Sequence, residues 1–293
     1  MSEKTAEVIR ARIHAVEAAV EEAGFILWRP FGGGQRLERP IFMIGCPRSG
    51  TSVSCVLFGH HPDVVNFSEA GEIWDPRHFS DREADHHWVA ADVTPEETAR
   101  LRDRLEFARR IRNLPPWHGG ARKRLLNKHP RNSVRIEYLQ AIFPDALFIH
   151  VLRDGRAVVH SILEMIEREP ERKAVPMGAF CKPPNWRDYL REDPVEQAAL
   201  QWREIVRYVL SKREGLGGHY HEYRYEDLCR DPRGVLGQAF AFAGLRADAE
   251  VLARLPEQLP LKNFKWRQDL DQTQIETMER IQSPLLRQLG YDV

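Results

Sequence analysis

The chain has 293 residues, 42% of them hydrophobic, enough to bury one substantial core. Lysine plus arginine and aspartate plus glutamate each number 43, so the chain lacks the net basic footprint of a nucleic-acid binder. Its four cysteines (Cys46, Cys55, Cys181, Cys229) have no CxxC or metal-ligand spacing, so free thiols in a reducing compartment are expected.

The elements follow in chain order. Val8, Ile9, Ile13, Val16, Ala19 and Val20 recur at helical spacing, which predicts an amphipathic helix over 4–24 that stops at Gly24. This N-terminus has no apolar h-region or small-residue cleavage site, and no stretch is apolar enough to span a membrane, so a cytoplasmic protein is expected. Ile41-Phe42-Met43-Ile44, between Pro40 and Gly45, reads as a buried parallel strand. A helix over Ser49–His60 and a polar region over 68–120 follow it. Arg124–Asn127 and Ala146–Leu152 read as strands, each followed by a helix, over 132–142 and about 156–167. A Pro-rich charged stretch, 167–194, reads as an insert; a helix over 195–213 and a strand over His219–Tyr225 come next. Helical segments at 232–255 and 270–289 close the chain around a loop at Lys262–Arg267. Strands alternating with helices predict an α/β, P-loop-like three-layer fold: a central parallel β-sheet flanked by helices, as one domain over 1–293.

Residues 45–52 read Gly-Cys-Pro-Arg-Ser-Gly-Thr-Ser, after a strand and opening a helix. The frame is that of a P-loop with Thr51 where the lysine belongs. Curled backbone N–H groups, a helix N-terminus and the hydroxyls of Thr51 and Ser52 suit an anion. Without the lysine, a nucleoside-triphosphate enzyme loses the cation beside its β- and γ-phosphates, and Arg48 offers a fixed charge instead. Arg153, at the end of the strongest strand, faces the crevice where α/β folds bind ligands, and its planar fork suits a phosphate.

Pro47-Arg48-Ser49-Gly50-Thr51-Ser52 resembles the donor loop P-[RK]-[ST]-G-T-[ST] of the sulfotransferase superfamily. The resemblance implies a loop that binds the 5′-phosphosulfate of 3′-phosphoadenosine 5′-phosphosulfate (PAPS). Arg153-Asp154-Gly155-Arg156 with Ser161 resembles the R-D-x-R-x-x-x-x-S segment, which implies that Arg153 and Ser161 take the 3′-phosphate, Arg156 being structural. Asn127-Lys128-His129-Pro130 and Tyr225-Glu226-Asp227-Leu228 resemble two further family elements, and Lys265-Trp266-Arg267 falls where the family has a basic loop over the donor. From that position Trp266 is expected to stack on adenine or to anchor packing, with Lys265 and Arg267 on phosphate. The resemblance covers roughly 40–290, with spacing similar to the tyrosylprotein type and related bacterial sulfotransferases.

What it implies is in-line transfer of a sulfuryl group from PAPS to an acceptor hydroxyl or amine, with adenosine 3′,5′-bisphosphate as product and no metal. Lys128 and Arg48 then stabilise the charge on the bridging and equatorial oxygens. Two residues compete as general base: Glu69 by its distance from the donor loop, and His129 because cytosolic members use a histidine near the lysine. The variable stretches 69–120 and 167–194 would shape the site of a small-molecule or peptide acceptor. Trp74, Trp88, Trp117 and Trp186 lie there and point weakly to an apolar or ring-bearing one. The rival readings are a small-molecule kinase on the same scaffold and a non-catalytic nucleotide-binding module.

Overall fold

Strand β1 (Ile41–Ile44) is buried along its whole length. It has parallel neighbours on both sides, β3 (Arg124–Lys128) and β4 (Leu147–Leu152). The computed structural model describes residues 27, 37–69, 85–112 and 123–293. The expected helix over 4–24, Trp74 and Trp117 lie outside the described residues.

Among the described residues the order is β1, α1 (Thr51–Phe58), β2 (Val64–Ser68), α2 (Pro95–Arg112), β3, α3 (Ile136–Ile142), β4, α4 (Gly155–Arg168), α5 (Pro194–Leu216) and β5 (Tyr220–Arg224). Helices α6 (Tyr225–Arg230), α7 (Pro232–Phe242), α8 (Ala249–Leu252), α9 (Trp266–Asp269) and α10 (Gln272–Gln288) complete the chain. The sheet runs β2-β3-β1-β4-β5, and every pairing is parallel.

Period-two alternation explains the layers. Phe42, Ile44, Phe148 and Leu152 face one core with residues of α3, α4, α5 and α10. Ile41, Met43, Ile149 and Val151 face the other, with α1, α7 and α8. A parallel strand buried on both faces reads as a continuous apolar run, as β1 and β4 do. The expected three-layer α/β architecture is the one observed.

Several boundaries move for local reasons. Helix α1 starts at Thr51, because Gly50 is left-handed with φ 90°. The segment expected as a helix over 132–142 opens as a 3-10 turn, Pro130–Val134, and Arg135 (φ −138°, ψ 36°) breaks it before α3. The segment 232–255 splits into α7 and α8 around Gly244, whose φ is 70°. Strand β2 occupies 64–68, where no element was expected, and helix α2 lies inside the stretch expected to be a polar region.

The insert 167–194 folds as three 3-10 turns, Pro170–Ala174, Pro176–Ala179 and Trp186–Tyr189. The first two line a cavity of about 770 Å³ together with Leu163 and Ile166 of α4. The tryptophans of the variable stretches pack. Trp186 is buried between Lys182 and Arg187, at 4.8 and 4.4 Å from its ring centre. Trp88 packs edge-on against Tyr138, with ring centres 5.1 Å apart. Both rings are thus engaged by neighbouring side chains, Trp186 buried and Trp88 half-buried.

Candidate active site

Parallel strands deliver their C-terminal ends to one edge of the sheet, the usual ligand side of an open α/β fold. Here β1 runs into the loop 45–50, β2 ends beside Glu69, β3 ends on Lys128, β4 delivers Arg153, and β5 delivers Tyr225.

The loop is pinned at both ends. Ser133 Oγ donates to the carbonyl of Gly45 and accepts from its N–H, each at 2.8 Å. Ser49 Oγ donates to the Cys46 carbonyl at 2.6 Å. Gly50 is required twice over: its φ of 90° is left-handed, and a Cβ there would come within 2.3 Å of the Tyr225 ring. The N-cap of α1 is Gly50, which has no side chain to cap the first turn, so the N–H groups that follow the loop suit an anion. Thr51 is buried and Ser52 exposed at this opening, with Pro47 buried beneath it.

The register of β2 on β3, Ser68 opposite Lys128, creates the next part. Glu69 N donates to the Lys128 carbonyl at 2.7 Å, and the two side chains form an ion pair. Lys128 is 1% exposed while the Glu69 side chain is 53% exposed, so the pair reaches from the interior to solvent. Lys128 Nζ also donates to Ser52 Oγ of the loop at 3.0 Å. Glu69, left-handed at φ 51°, turns the chain out of the strand.

Arginines gather beyond the loop. Arg48, left-handed at φ 70°, donates from Nε to Ser161 Oγ at 3.1 Å. Arg153 donates to the Arg48 carbonyl at 2.9 Å, and its guanidinium lies 4.7 Å from the Tyr225 ring centre. Burial, then the charges of Arg168 and Arg153, lower the Arg48 pKa; Arg172 adds to this and Glu164 opposes it. Cations crowded this way favour a bound polyanion, which relieves their repulsion. Asp154 pairs with Arg156 through both carboxylate oxygens, at 3.0 and 2.9 Å, which leaves Arg153 to the site and gives Arg156 its structural role.

The segment 263–271 forms a strap along α4. Lys265 Nζ lies 3.5 Å from Glu164, and Asp269 Oδ2 is 2.8 Å from His160 Nε2. Arg267 is exposed, its guanidinium over the Phe264 and Trp266 rings at 5.4 and 5.1 Å. Trp266 itself is 4% exposed in the core, with Arg156 over its ring at 5.0 Å. Of the two roles expected for it, packing anchor is the one the structure gives; a ring so covered presents no face to an adenine.

His129 caps the 3-10 turn after β3, its Nδ1 accepting from the Arg131 N–H at 3.2 Å. Burial, followed by the charges of Arg135, Arg131 and Lys128, holds its pKa well below the ordinary histidine value. The ring is therefore weakly basic and already engaged as an acceptor, whereas the Glu69 carboxylate is half-exposed beside Lys128. The structure thus brings together Glu69, Lys128 and Ser52 on one side of the loop and Arg48, Arg153, Ser161 and Tyr225 on the other. Sequence reading assigned no role to Ser133, Glu226 or Asn263, all of which hold these groups in place.

These strand ends define an α/β protein built to handle a polyanionic ligand at its sheet edge. The chain belongs to the sulfotransferase family, whose profile matches residues 40–249, and it is a sulfotransferase. Protein-tyrosine sulfotransferase A of Caenorhabditis elegans is 25% identical over 288 residues, covering 89% of this chain and 69% of its own. The protein-tyrosine sulfotransferase of Drosophila melanogaster is 34% identical over 131 residues, 42% of this chain and 25% of that one. Among solved structures, sulfotransferase STF9 from Mycobacterium avium superposes with a TM-score of 0.59 at 18% identity, over 92% of this chain and 82% of that one. The sulfotransferase domain from the curacin biosynthetic pathway gives 0.54 at 19% identity, over 88% of this chain and 100% of that domain. Among the described residues, no helix is long and apolar enough to cross a membrane.

Proposed function

We propose that this sulfotransferase takes its sulfuryl group from PAPS and passes it to a tyrosyl hydroxyl of a peptide or protein. The observation that carries the reading is Lys128, a buried ammonium held between Ser52 of the anion loop and the half-exposed carboxylate of Glu69. A cation and a base in contact at the mouth of an anion loop meet the needs of sulfuryl transfer. The resemblance to protein-tyrosine sulfotransferases along 89% of the chain supports the acceptor class.

The residues fit such a donor. Two separated groups of cations answer its two charged ends. The loop 47–52, with Arg48, and Lys128 hold the phosphosulfate, while Arg153, Ser161 and Lys265 hold the 3′-phosphate. Tyr225, stacked under Arg153, walls the loop at Gly50.

Glu69 takes the proton of the acceptor hydroxyl as its oxygen bonds to sulfur. The bond from sulfur to the bridging oxygen breaks, and its electron pair stays on that oxygen. Lys128 Nζ meets the negative charge there, and Arg48 adds to the field. Lys128 is fixed before substrates arrive, so little reorganisation is needed at the moment of reaction.

Calorimetric titration with adenosine 3′,5′-bisphosphate tests the donor half. Wild type is expected to bind it without magnesium and to ignore ATP, and Arg153→Ala to bind about ten- to a hundredfold more weakly. Binding of ATP with magnesium instead of the bisphosphate would overturn the reading in favour of a phosphotransferase.

A further inference from the structure

Arg153 does not stand alone. Its Nε donates to Asn263 Oδ1 at 2.9 Å, and Asn263 is buried on the strap that carries Lys265. The other end of that amide, Nδ2, donates to Glu226 Oε1. The same carboxylate oxygen accepts from the Asp154 N–H at 3.0 Å, the residue after Arg153. Its second oxygen accepts from Tyr291 OH at 3.2 Å, near the C-terminus. One amide therefore bridges the phosphate arginine and a half-buried carboxylate that is itself held from two further segments.

The geometry points to Asn263 as a positioning residue: it fixes the guanidinium plane of Arg153 for the 3′-phosphate and ties that arginine to the strap. Three observations converge on it. First, Arg153 has its Nε on Asn263, Nη1 on the Arg48 carbonyl and its face on Tyr225, so its rotation is stopped on three sides. Second, the amide separates Arg153 from Glu226. A direct bidentate pair with that carboxylate would occupy the fork that a phosphate needs, whereas a neutral amide transmits position and leaves the charge available. Third, Asn263 stands two residues before Lys265, so its bond to Arg153 anchors the chain segment that carries the strap's cation. The inference rests on the reading of Arg153 as a 3′-phosphate ligand.

The test compares adenosine 3′,5′-bisphosphate with adenosine 5′-monophosphate, by calorimetry, on folded full-length protein. Wild type is expected to prefer the bisphosphate strongly. Asn263→Ala is expected to lose about tenfold in that preference through the bisphosphate alone, the monophosphate being unaffected. Asn263→Leu keeps the side-chain volume and loses both hydrogen bonds, so it covers the case in which the alanine variant does not fold. In an Arg153→Ala background the Asn263 substitutions are expected to have no further effect on the preference. A general structural role would weaken both nucleotides together. An unchanged preference in both Asn263 variants, or additive losses with Arg153→Ala, would overturn the proposal. Absence of any bisphosphate preference in wild type would instead overturn the donor reading, and the proposal with it.

Discussion

Arg153 Nη1 donates to the carbonyl oxygen of Arg48 at 2.9 Å, across 105 residues of sequence. This bond joins the turn after the central strand to the end of the neighbouring one. Arg48 in turn reaches Ser161 on α4, so loop, strand end and helix form one braced unit. A braced unit loses little freedom when an anion binds, which is the physical content of preorganisation.

Lys128 and Glu69 are expected to act on turnover. Lys128→Ala should lower kcat by about two to three orders of magnitude. Glu69→Gln should lower it by a similar factor, roughly 10² or more. Bisphosphate affinity should change far less in the glutamine variant, because the half-exposed carboxylate belongs to the acceptor side. Steady-state kinetics with both substrates varied separates these effects.

His129→Asn distinguishes the two bases. With the ring neutral, buried and engaged by the Arg131 N–H, the substitution should leave kcat within about a fewfold of wild type, far short of the factor a general base supplies. A fall as large as that of Glu69→Gln would transfer the role of base to His129.

Gly50→Ala should destabilise the fold as well as weaken donor binding. The new Cβ would stand 2.3 Å from Tyr225, at a φ of 90° that suits only glycine. Strain and overlap together are expected to cost about 1–3 kcal/mol, read as a fall in Tm. A variant with unchanged Tm would contradict the tight approach of Tyr225 to the loop.

Acid stability should depend on His86. Burial, followed by the charges of Arg131, Lys182 and Arg135, lowers its pKa from 6.5 to about 3. Its Nε2 is buried with no hydrogen-bond partner among the described residues, and Nδ1 accepts from the Lys182 N–H at 3.2 Å. Below 6.5 the unfolded chain binds a proton that the folded one refuses, so stability falls as pH drops towards about 3. The slope from this group is at most ~1.4 kcal/mol per pH unit. His86→Asn keeps an acceptor and should flatten the dependence across that window, as chemical denaturation at stepped pH would report. An unchanged slope would contradict the assignment.

The parts of the site that lie along the chain were legible in it. The apolar runs of β1 and β4, and the glycines and hydroxyls of 45–52, are local patterns with local causes. Strand β2 was not legible, because five residues with Asn66 in the middle give too little alternation. With β2 went the register that sets Ser68 opposite Lys128, and so the contact of Glu69 with Lys128. The sequence left two roles open for Trp266, because a basic neighbourhood looks the same whether arginines face a ligand or cover an indole. Here Arg156 and Arg267 cover it. The amide bridge of Asn263 is likewise tertiary, since its partners come from β4 and α6.

The most direct measurement is transfer of radiolabelled sulfate from PAPS to a tyrosine-containing peptide, without magnesium, by wild type, Lys128→Ala and Glu69→Gln. The expected result is label on the tyrosyl oxygen with wild type, stoichiometric release of adenosine 3′,5′-bisphosphate, and near loss of both with either variant. Transfer undiminished in Lys128→Ala, or label absent from the peptide while the bisphosphate still binds wild type, would contradict the reaction assigned to these residues.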